Sequence, residues 1–134
     1  MMPVVAAIVC FSSVACSPAD VIVIDGDTIV VRGEHIRIEG INAPELKGKC
    51  REEKVRALRA RSRLMELLPR AEVGIDRHGF DRYRRTLAFV SADGEPVGDV
   101  LMREGLARKW VQTYNGQEEP WCQSDVNAAL KAWN

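Results

Sequence analysis

Acidic, amide and arginine side chains occur in two short stretches near the start of the sequence. Asp25 and Asp27 flank a glycine-centred turn, and Arg37, Asn42 and Glu45 follow at the far end of a returning strand. Strands pair most readily with their sequence neighbours, so a hairpin would bring the two stretches together. Carboxylate and amide oxygens beside an arginine suit a hard cation held next to a phosphate group.

The residues around these two stretches have the pattern of three consecutive strands. Residues 21–24 are a continuous β-branched run, which predicts a buried strand, and residues 28–32 predict a second strand. Residues 35–39 alternate between polar and apolar, which predicts a third strand with one face inward. Gly40 interrupts the alternation and indicates a bulge or a close approach, and Pro44 ends the strand.

Two stretches of the chain show apolar residues at helical spacing. The longer covers residues 52–68 and stops at Pro69. The stripe expected to face the core there consists of Val55, Leu58, Met65 and Leu68. Ser124 is the expected N-cap of a terminal helix. The apolar stripe of that helix consists of Val126, Ala129, Leu130 and Trp133.

The remaining segments predict two strands and a short helix. The strands cover residues 71–76 and 86–91, with a turn at His78-Gly79 between them and a hairpin at Asp93-Gly94 after them. The short helix covers residues 97–106. This element order predicts an α+β fold, a five-stranded OB-type β-barrel with about three helices, in which closure removes exposed edges.

The beginning of the chain has the composition of an export signal. Residues 1–19 contain no charged side chain, and their apolar core at 4–11 is too short to span a membrane. We expect them to be removed, which leaves a domain at 20–134 that is periplasmic or secreted. Cys16 after Val-Ala partly matches a bacterial lipoprotein cleavage box, so a lipid-anchored form is the alternative.

Four cysteines are present, and two of them lie far apart within the expected domain. Cys50 and Cys122 are the natural disulfide pair in an oxidising compartment, and two free buried thiols are the alternative. The bridge would close a loop of about 70 residues and contribute roughly 4 kcal/mol in the chain-entropy model. No Cys-x-x-Cys or histidine-rich spacing indicates zinc.

The charge is balanced overall but uneven along the chain. The formal net charge is zero, yet residues 51–85 contain eleven Lys and Arg against six Asp and Glu, a local excess of +5. Such a surface can steer polyanions, although the solvated face of a helix is the equally weighted alternative. Total charge therefore neither indicates nor excludes a nucleic-acid partner.

Several motifs occur in a fixed order. They are Ile-Asp-Gly-Asp-Thr at 24–28, Arg-Ile-Glu-Gly-Ile-Asn-Ala-Pro-Glu at 37–45, Asp-Arg-Tyr-Arg-Arg-Thr-Leu-Ala-Phe-Val at 81–90 and Leu-Met-Arg-Glu-Gly-Leu-Ala at 101–107. With them the chain resembles the thermonuclease (staphylococcal nuclease-like) family from about residue 20 to residue 133. The resemblance implies an OB-fold enzyme that hydrolyses DNA and RNA phosphodiesters with calcium.

The resemblance also implies roles for individual residues. Asp27 matches a calcium-binding aspartate, Asn42 stands where the family usually has a second aspartate ligand, and Ala43 stands where a backbone carbonyl binds the metal. The residues matched to catalytic roles are the phosphate-binding Arg37 and Arg85 and the general base or water organiser Glu45. Tyr114 falls loosely where family tyrosines lie near the nucleotide.

Two positions depart from the family pattern. Asn42 keeps an oxygen ligand but lacks a negative charge, so calcium affinity should fall and Mg²⁺ or Mn²⁺ become alternatives. Arg84 replaces the usual glycine before Arg85. It either strains a turn of positive φ or adds a contact to the substrate phosphate.

Three functions compete at this level. The first is an exported, monomeric endonuclease of the micrococcal nuclease type, without a permanent protein partner, that leaves 3′-phosphate ends. The second is a non-catalytic OB-fold module that binds single-stranded nucleic acid. The third is a structural envelope lipoprotein, which contacts the membrane only if Cys16 is lipidated. Histidine chemistry is not indicated, because His35 and His78 are expected at the surface.

The three tryptophans are expected to pack rather than to stack on bases. They are Trp110, Trp121 and Trp133.

Overall fold

A computed structural model describes residues 20–69, 71–110 and 121–122. Its elements in chain order are β1 (Val21–Asp25), β2 (Thr28–Val31), β3 (Glu34–Ile38), β4 (Ile41–Asn42), α1 (Arg51–Leu67), β5 (Val73–Phe80), β6 (Thr86–Ala92), β7 (Glu95–Pro96), α2 (Val97–Arg103) and β8 (Arg108–Lys109). Within these ranges, neither helix has the length and apolarity needed to cross a membrane.

The main sheet runs in the order β1-β2-β3-β6-β5, with β7 added to β6. Strands β3 and β6 are parallel, and the other neighbours are antiparallel. The α+β class is therefore confirmed, with a six-stranded sheet. Across the described ranges no ladder joins β1 to β5, so the expected closed barrel is not found there. The third predicted helix lies outside these ranges, as do the predicted export signal and Ser124.

Two tight hairpins set the register of the sheet. Arg32 and Gly33 connect β2 to β3 with φ of 49° and 82°. Asp93 and Gly94 connect β6 to β7 with φ of 50° and 82°. Consecutive positive φ values are typical of the type I′ turn, whose twist matches that of the strands. The predicted Asp93-Gly94 hairpin is confirmed.

The predicted turn at His78-Gly79 is wrong, because both residues lie inside β5. This strand keeps pairing with β6 past the predicted end at residue 76, as far as the pair Phe80 and Thr86. The register shifts between Arg77 and Gly79, and Gly79 has a φ of 130°. The glycine therefore marks a bulge within a long strand rather than its end.

The buried face of α1 differs from the predicted stripe. Of that stripe only Leu68 is buried, whereas Val55, Leu58 and Met65 are 38%, 54% and 51% exposed. The residues buried along the helix are instead Glu53, Ala57, Ala60 and Leu64. Small side chains face the sheet because the helix lies close to it, with Ala60 next to the turn at Gly26.

Gly26 is in close contact with α1 and with Ala43, the residue directly after β4. A Cβ added to Gly26 would lie 2.7 Å from the Cβ of Ala60 and 2.8 Å from the Cβ of Ala43. Separations under 3.0 Å are too short for real side chains, so this position needs glycine for space rather than for backbone conformation. The glycine between Asp25 and Asp27 thus fixes where the helix packs.

The core lies between the sheet and the two helices. Its largest fully buried side chains include Ile29, Ile36, Ile38, Leu64 and Leu101. Strand β1 buries only one face, because Val23 is 6% exposed while Ile22 and Ile24 are 61% and 41% exposed, so the prediction of a wholly buried strand is wrong. At the edge of the core, the structure joins Cys50 to Cys122 by a disulfide bond.

Candidate active site

Five of the residues singled out by the sequence surround one cleft of about 590 Å³. They are Asp27, Arg37, Asn42, Glu45 and Arg85. The cleft also includes Asp25, Asp81, Tyr83 and Trp110. The expected convergence of distant side chains is therefore present in the structure.

Asp27 joins the two halves of the site through one buried carboxylate. It lies in the turn with Gly26, directly before β2, and it is only 6% exposed. Its Oδ2 accepts a hydrogen bond from the backbone N–H of Ala43 at 3.0 Å and lies 3.2 Å from Nη2 of Arg37. The hydroxyl of Thr28 donates to its Oδ1 at 3.2 Å. A single side chain thus holds the β1–β2 turn against the segment after β3.

Burial raises the pKa of Asp27 to about 6 from its ordinary value of 3.8, against the opposing charge of Arg37. The neighbouring carboxylate of Asp25 also raises it. The guanidinium of Arg37 therefore does not fully compensate the buried negative charge. A carboxylate in this condition gains from an additional cation, which would restore its ionised form.

Arg37 is held rigidly on β3. Its Nη1 donates to the carbonyl of Ile38 at 2.7 Å, and its Nη2 is paired with Asp27. The side chain is 15% exposed, so both contacts form in a largely dry environment where they are strong. Arg37 is also one of the residues that line the cleft.

Arg85 is positioned by a tight loop built around Asp81. One carboxylate oxygen of Asp81 accepts from the backbone N–H groups of Tyr83 and Arg85, both at 2.9 Å. The other accepts from Nε of Arg85 at 2.7 Å, and Nη1 of Arg85 reaches the hydroxyl of Thr28 at 3.3 Å. Although partial burial acts the other way, these hydrogen bonds hold the pKa of Asp81 below its usual 3.8.

Arg84 has a φ of 62°, so of the two sequence alternatives the structure contains the strained turn. Residues with a Cβ avoid this region at a cost of about 1–2 kcal/mol. The side chain is exposed and is not part of the cleft wall. Its contact with a substrate phosphate stays a prediction.

Asn42 and Ala43 follow β3 on the short strand β4 and just after it. Asn42 pairs with Arg108 of β8 and is one of the residues that line the cleft. Ala43 is buried, with its N–H bound to Asp27. Oxygens from Asp25, Asp27 and Asn42 therefore belong to one cleft, and carboxylate and amide oxygens are the donors that calcium and magnesium take.

Glu45 is exposed at the mouth of the cleft, on the loop between β4 and α1. Its carbonyl accepts from the N–H of Gly48 at 2.9 Å, and its own N–H donates to Glu53 at 3.4 Å. Two hydrogen bonds thus fix the backbone at Glu45, which is an exposed residue.

Aromatic side chains flank the cleft, which sequence reasoning only partly anticipated. Trp110 is 52% exposed and Tyr83 is 65% exposed. Both line the cleft, so Trp110 is accessible in the cleft wall, whereas the sequence predicts that it packs rather than stacks on bases. Trp121 follows that expectation, since the guanidinium of Arg108 lies 3.8 Å from its ring centroid. Tyr114 and Trp133 lie outside the described residues.

His78 is exposed, as predicted, and forms part of a polar cluster beside the cleft. Its Nδ1 lies 2.7 Å from Glu39 and its Nε2 lies 3.0 Å from Asp76. The hydrogen bond to Glu39, helped by the charge of Asp76, raises the pKa of His78 above 6.5. The pairing therefore favours the folded state at low pH, and this contribution is lost as the pH rises through the folded-state pKa.

Carboxylate and amide residues and two arginines thus surround one cleft. The family model for staphylococcal nuclease homologues matches residues 35–132. The chain therefore belongs to the staphylococcal nuclease homologue family, whose members act on nucleic acids. Among curated proteins, none matches the chain significantly. The match includes Arg37, Asn42 and Glu45 and begins after Asp27.

Replacing Arg84 by glycine should stabilise the protein. Glycine removes the cost of positive φ but adds entropy to the unfolded chain, so we expect a net gain of about 0.5–1 kcal/mol in the free energy of unfolding. Urea denaturation measures it. Arg82→Gly is the matched control, because Arg82 is exposed on the same loop without positive φ and should give no gain. A loss of stability in Arg84→Gly would show that the side chain outweighs the strain.

Proposed function

We propose that the protein is a metal-dependent endonuclease that hydrolyses phosphodiester bonds of DNA and RNA and leaves 3′-phosphate ends. The observation that carries the proposal is the shared contact at Asp27, whose Oδ2 receives both Arg37 and the N–H of Ala43. This contact places an undercompensated carboxylate next to a phosphate-binding arginine. Membership of the family supports the nuclease class and nucleic acid as substrate.

Calcium is the cation we propose, held by Asp27, Asn42 and the backbone carbonyl of Ala43. The family is calcium-dependent in general, and the oxygen donors of the cleft fit such an ion. When bound, it would stabilise negative charge on the phosphate and acidify water. Asn42 supplies no charge, so a high calcium requirement, or use of Mg²⁺ or Mn²⁺, follows from the same donor set.

Arg37 and Arg85 bind the phosphate in this proposal. Among the described residues, hydrogen bonds and ion pairs engage two of the five N–H groups on each guanidinium. The N–H groups that remain can donate to the non-bridging oxygens of a phosphodiester in the cleft. Charge on these oxygens rises during attack, so fixed donors stabilise the transition state more than the bound substrate.

Glu45 is the proposed general base. Its carboxylate takes one proton from a water molecule whose oxygen attacks phosphorus. The bond from phosphorus to the 5′ oxygen breaks, and that oxygen takes up a proton from solvent as the 5′-hydroxyl, while Glu45 returns its own proton to solvent. The other product keeps the 3′-phosphate. An exposed position at the mouth of the cleft lets Glu45 reach water on the solvent side of the bound phosphate.

The second candidate function is a non-catalytic module that binds single-stranded nucleic acid. The exposed rings of Trp110 and Tyr83 beside Arg85 favour it, because bases stack on aromatic side chains while arginines bind the backbone. The missing charge at Asn42 also favours it. It leaves the fixed loop that carries Glu45 without a purpose, so we prefer the enzyme. A purely structural lipoprotein would leave the whole cleft unexplained.

Cleavage assays separate the enzyme from the binder. We expect the purified domain to cut single-stranded DNA with calcium, to stop with chelator and to leave 3′-phosphates. Glu45→Gln should lower the rate by about 10²–10⁴-fold, since the general base is lost. Binding measured by gel shift in chelator should be unchanged in this variant. Intact DNA in calcium, magnesium and manganese, with a retained gel shift, would decide for the binding module.

Asn42→Asp provides the matched metal-site variant for the same assays. The added carboxylate should strengthen calcium binding, so the calcium concentration giving half-maximal cleavage should fall. Calorimetric titration of calcium measures the affinity without substrate. If the affinity of Asn42→Asp equals that of the wild type, Asn42 is not a metal ligand.

We also propose that the protein is exported as a monomer with the disulfide intact, in the periplasm or outside the cell. The juxtaposition of Cys50 and Cys122 supports an oxidising compartment. The mass of protein recovered from that compartment should rise only when alkylation follows reduction. It should lack residues 1–19, and with them Cys16, and it should elute as a monomer. Alkylation without reduction would contradict the disulfide, and added lipid mass would identify the lipoprotein alternative.

A further inference from the structure

Glu53 is a buried carboxylate that the proposed chemistry does not use. It lies in the first turn of α1 and is 7% exposed. Its Oε1 accepts from the N–H of Glu45 at 3.4 Å, and its Oε2 accepts from the N–H of Lys49 at 2.8 Å. One carboxylate therefore holds both ends of the loop that carries the proposed general base.

The loop is wrapped tightly around this carboxylate. A Cβ added to Gly48 would lie 2.5 Å from both Cγ and Cδ of Glu53, so a larger residue there would displace the carboxylate or the loop. The N–H of Gly48 also donates to the carbonyl of Glu45 at 2.9 Å, which closes the loop into a turn. The position of Glu45 thus depends on the position of Glu53.

Glu53 is itself held in place by the two cysteines of the disulfide. The sulfur of Cys50 caps α1 by accepting from the N–H of Glu53 at 3.4 Å, and the sulfur of Cys122 lies 3.9 Å from its Oε2. On the same face of the helix, Ala60 packs under Gly26, next to Asp27. The helix therefore connects the loop of Glu45 to the turn of Asp27 through one rigid element.

The buried environment of Glu53 argues against a role in stability alone. In the described part of the chain its carboxylate receives backbone N–H groups and forms no ion pair. Burying a carboxylate without a cation is costly, and an apolar residue of similar size is often equally stable. What an apolar residue lacks is the ability to hold two N–H groups of the loop at once.

We propose that Glu53 is a positioning residue for Glu45, which fixes the loop so that the general base faces the cleft. This inference rests on the proposed function. It predicts that loss of the carboxylate of Glu53 slows the chemical step rather than substrate binding. A displacement of about 1 Å at a catalytic group can cost about 10²-fold in rate.

The kinetic test compares substitutions at Glu53 with one at Glu66, another glutamate of α1 whose side chain is 67% exposed. Glu53→Ala should lower kcat by about 10- to 100-fold with KM within about twofold, because only the base is displaced. Glu53→Gln keeps one acceptor oxygen and should recover part of kcat. Glu66→Ala should leave both constants unchanged. Should Glu53→Ala be poorly folded by circular dichroism, Glu53→Gln carries the test.

A double-mutant cycle distinguishes positioning from general loss of structure. If Glu53 acts through Glu45, Glu53→Ala should lower kcat no further in the Glu45→Gln background. An equal fold-loss in both backgrounds would overturn the proposal, since the effect would then be independent of the base. A raised KM with unchanged kcat would overturn it as well.

Amide hydrogen exchange tests the same proposal without any activity. The N–H groups of Glu45 and Lys49 should exchange faster in Glu53→Ala than in the wild type and should be unaffected by Glu66→Ala. Unchanged exchange at both amides would overturn the positioning role. Absence of cleavage by the wild type would instead contradict the proposed function, and the exchange result would still decide whether Glu53 holds the loop.

Discussion

The organisation of the site depends on one buried carboxylate with too little positive charge around it. Asp27 receives the N–H of Ala43 and the guanidinium of Arg37 on the same oxygen, so two segments distant along the chain are fixed against each other. The same contacts leave the pKa of Asp27 raised to about 6 by burial. A buried acid that is held in place but not neutralised is what a cation-binding site requires before the cation arrives.

Helix α1 packs against the turn that carries Asp27 and holds it in place. Ala60 lies so close to Gly26 that position 26 cannot carry a side chain. Two turns earlier on the helix, Glu53 accepts hydrogen bonds from the loop that carries Glu45. Close packing, rather than bulk hydrophobicity, therefore decides which face of the helix is buried. The arginines of the site are supported separately, by β3 for Arg37 and by the Asp81 loop for Arg85. Strand β3 and the Asp81 loop thus each bring one arginine to the cleft, while α1 supports the turn and the loop that carry its acidic residues.

The sequence predicts the convergence of Asp27 and Arg37, because Asp27 directly precedes β2 and Arg37 lies opposite Thr28 on β3, whose pairing with β2 is local. The sequence does not show that Asn42 lies on β4, which pairs with the distant β8. It failed where small residues or bulges decide the geometry. The alanine face of α1 was missed because alanine carries little hydrophobic signal, although it permits the close approach of helix and sheet. The glycine at position 79 predicts a turn but lies inside β5, since local sequence does not reveal that the pairing with β6 continues past it. The role of Glu53 depends on contacts across the fold that no local pattern contains.

The most direct test of the central claim is a pH titration of the Asp27 carboxyl carbon by NMR, without and with calcium. In the metal-free protein we expect the titration of Asp27 to have its midpoint near pH 6. The free energy of unfolding of the protein should then fall as the pH rises from 3.8 towards 6, because Asp27 loses its proton at lower pH in the unfolded state than in the folded state. Calcium should move the midpoint to lower pH, since the ion binds only the ionised carboxylate. A midpoint at the ordinary 3.8 that calcium leaves unchanged would contradict the account.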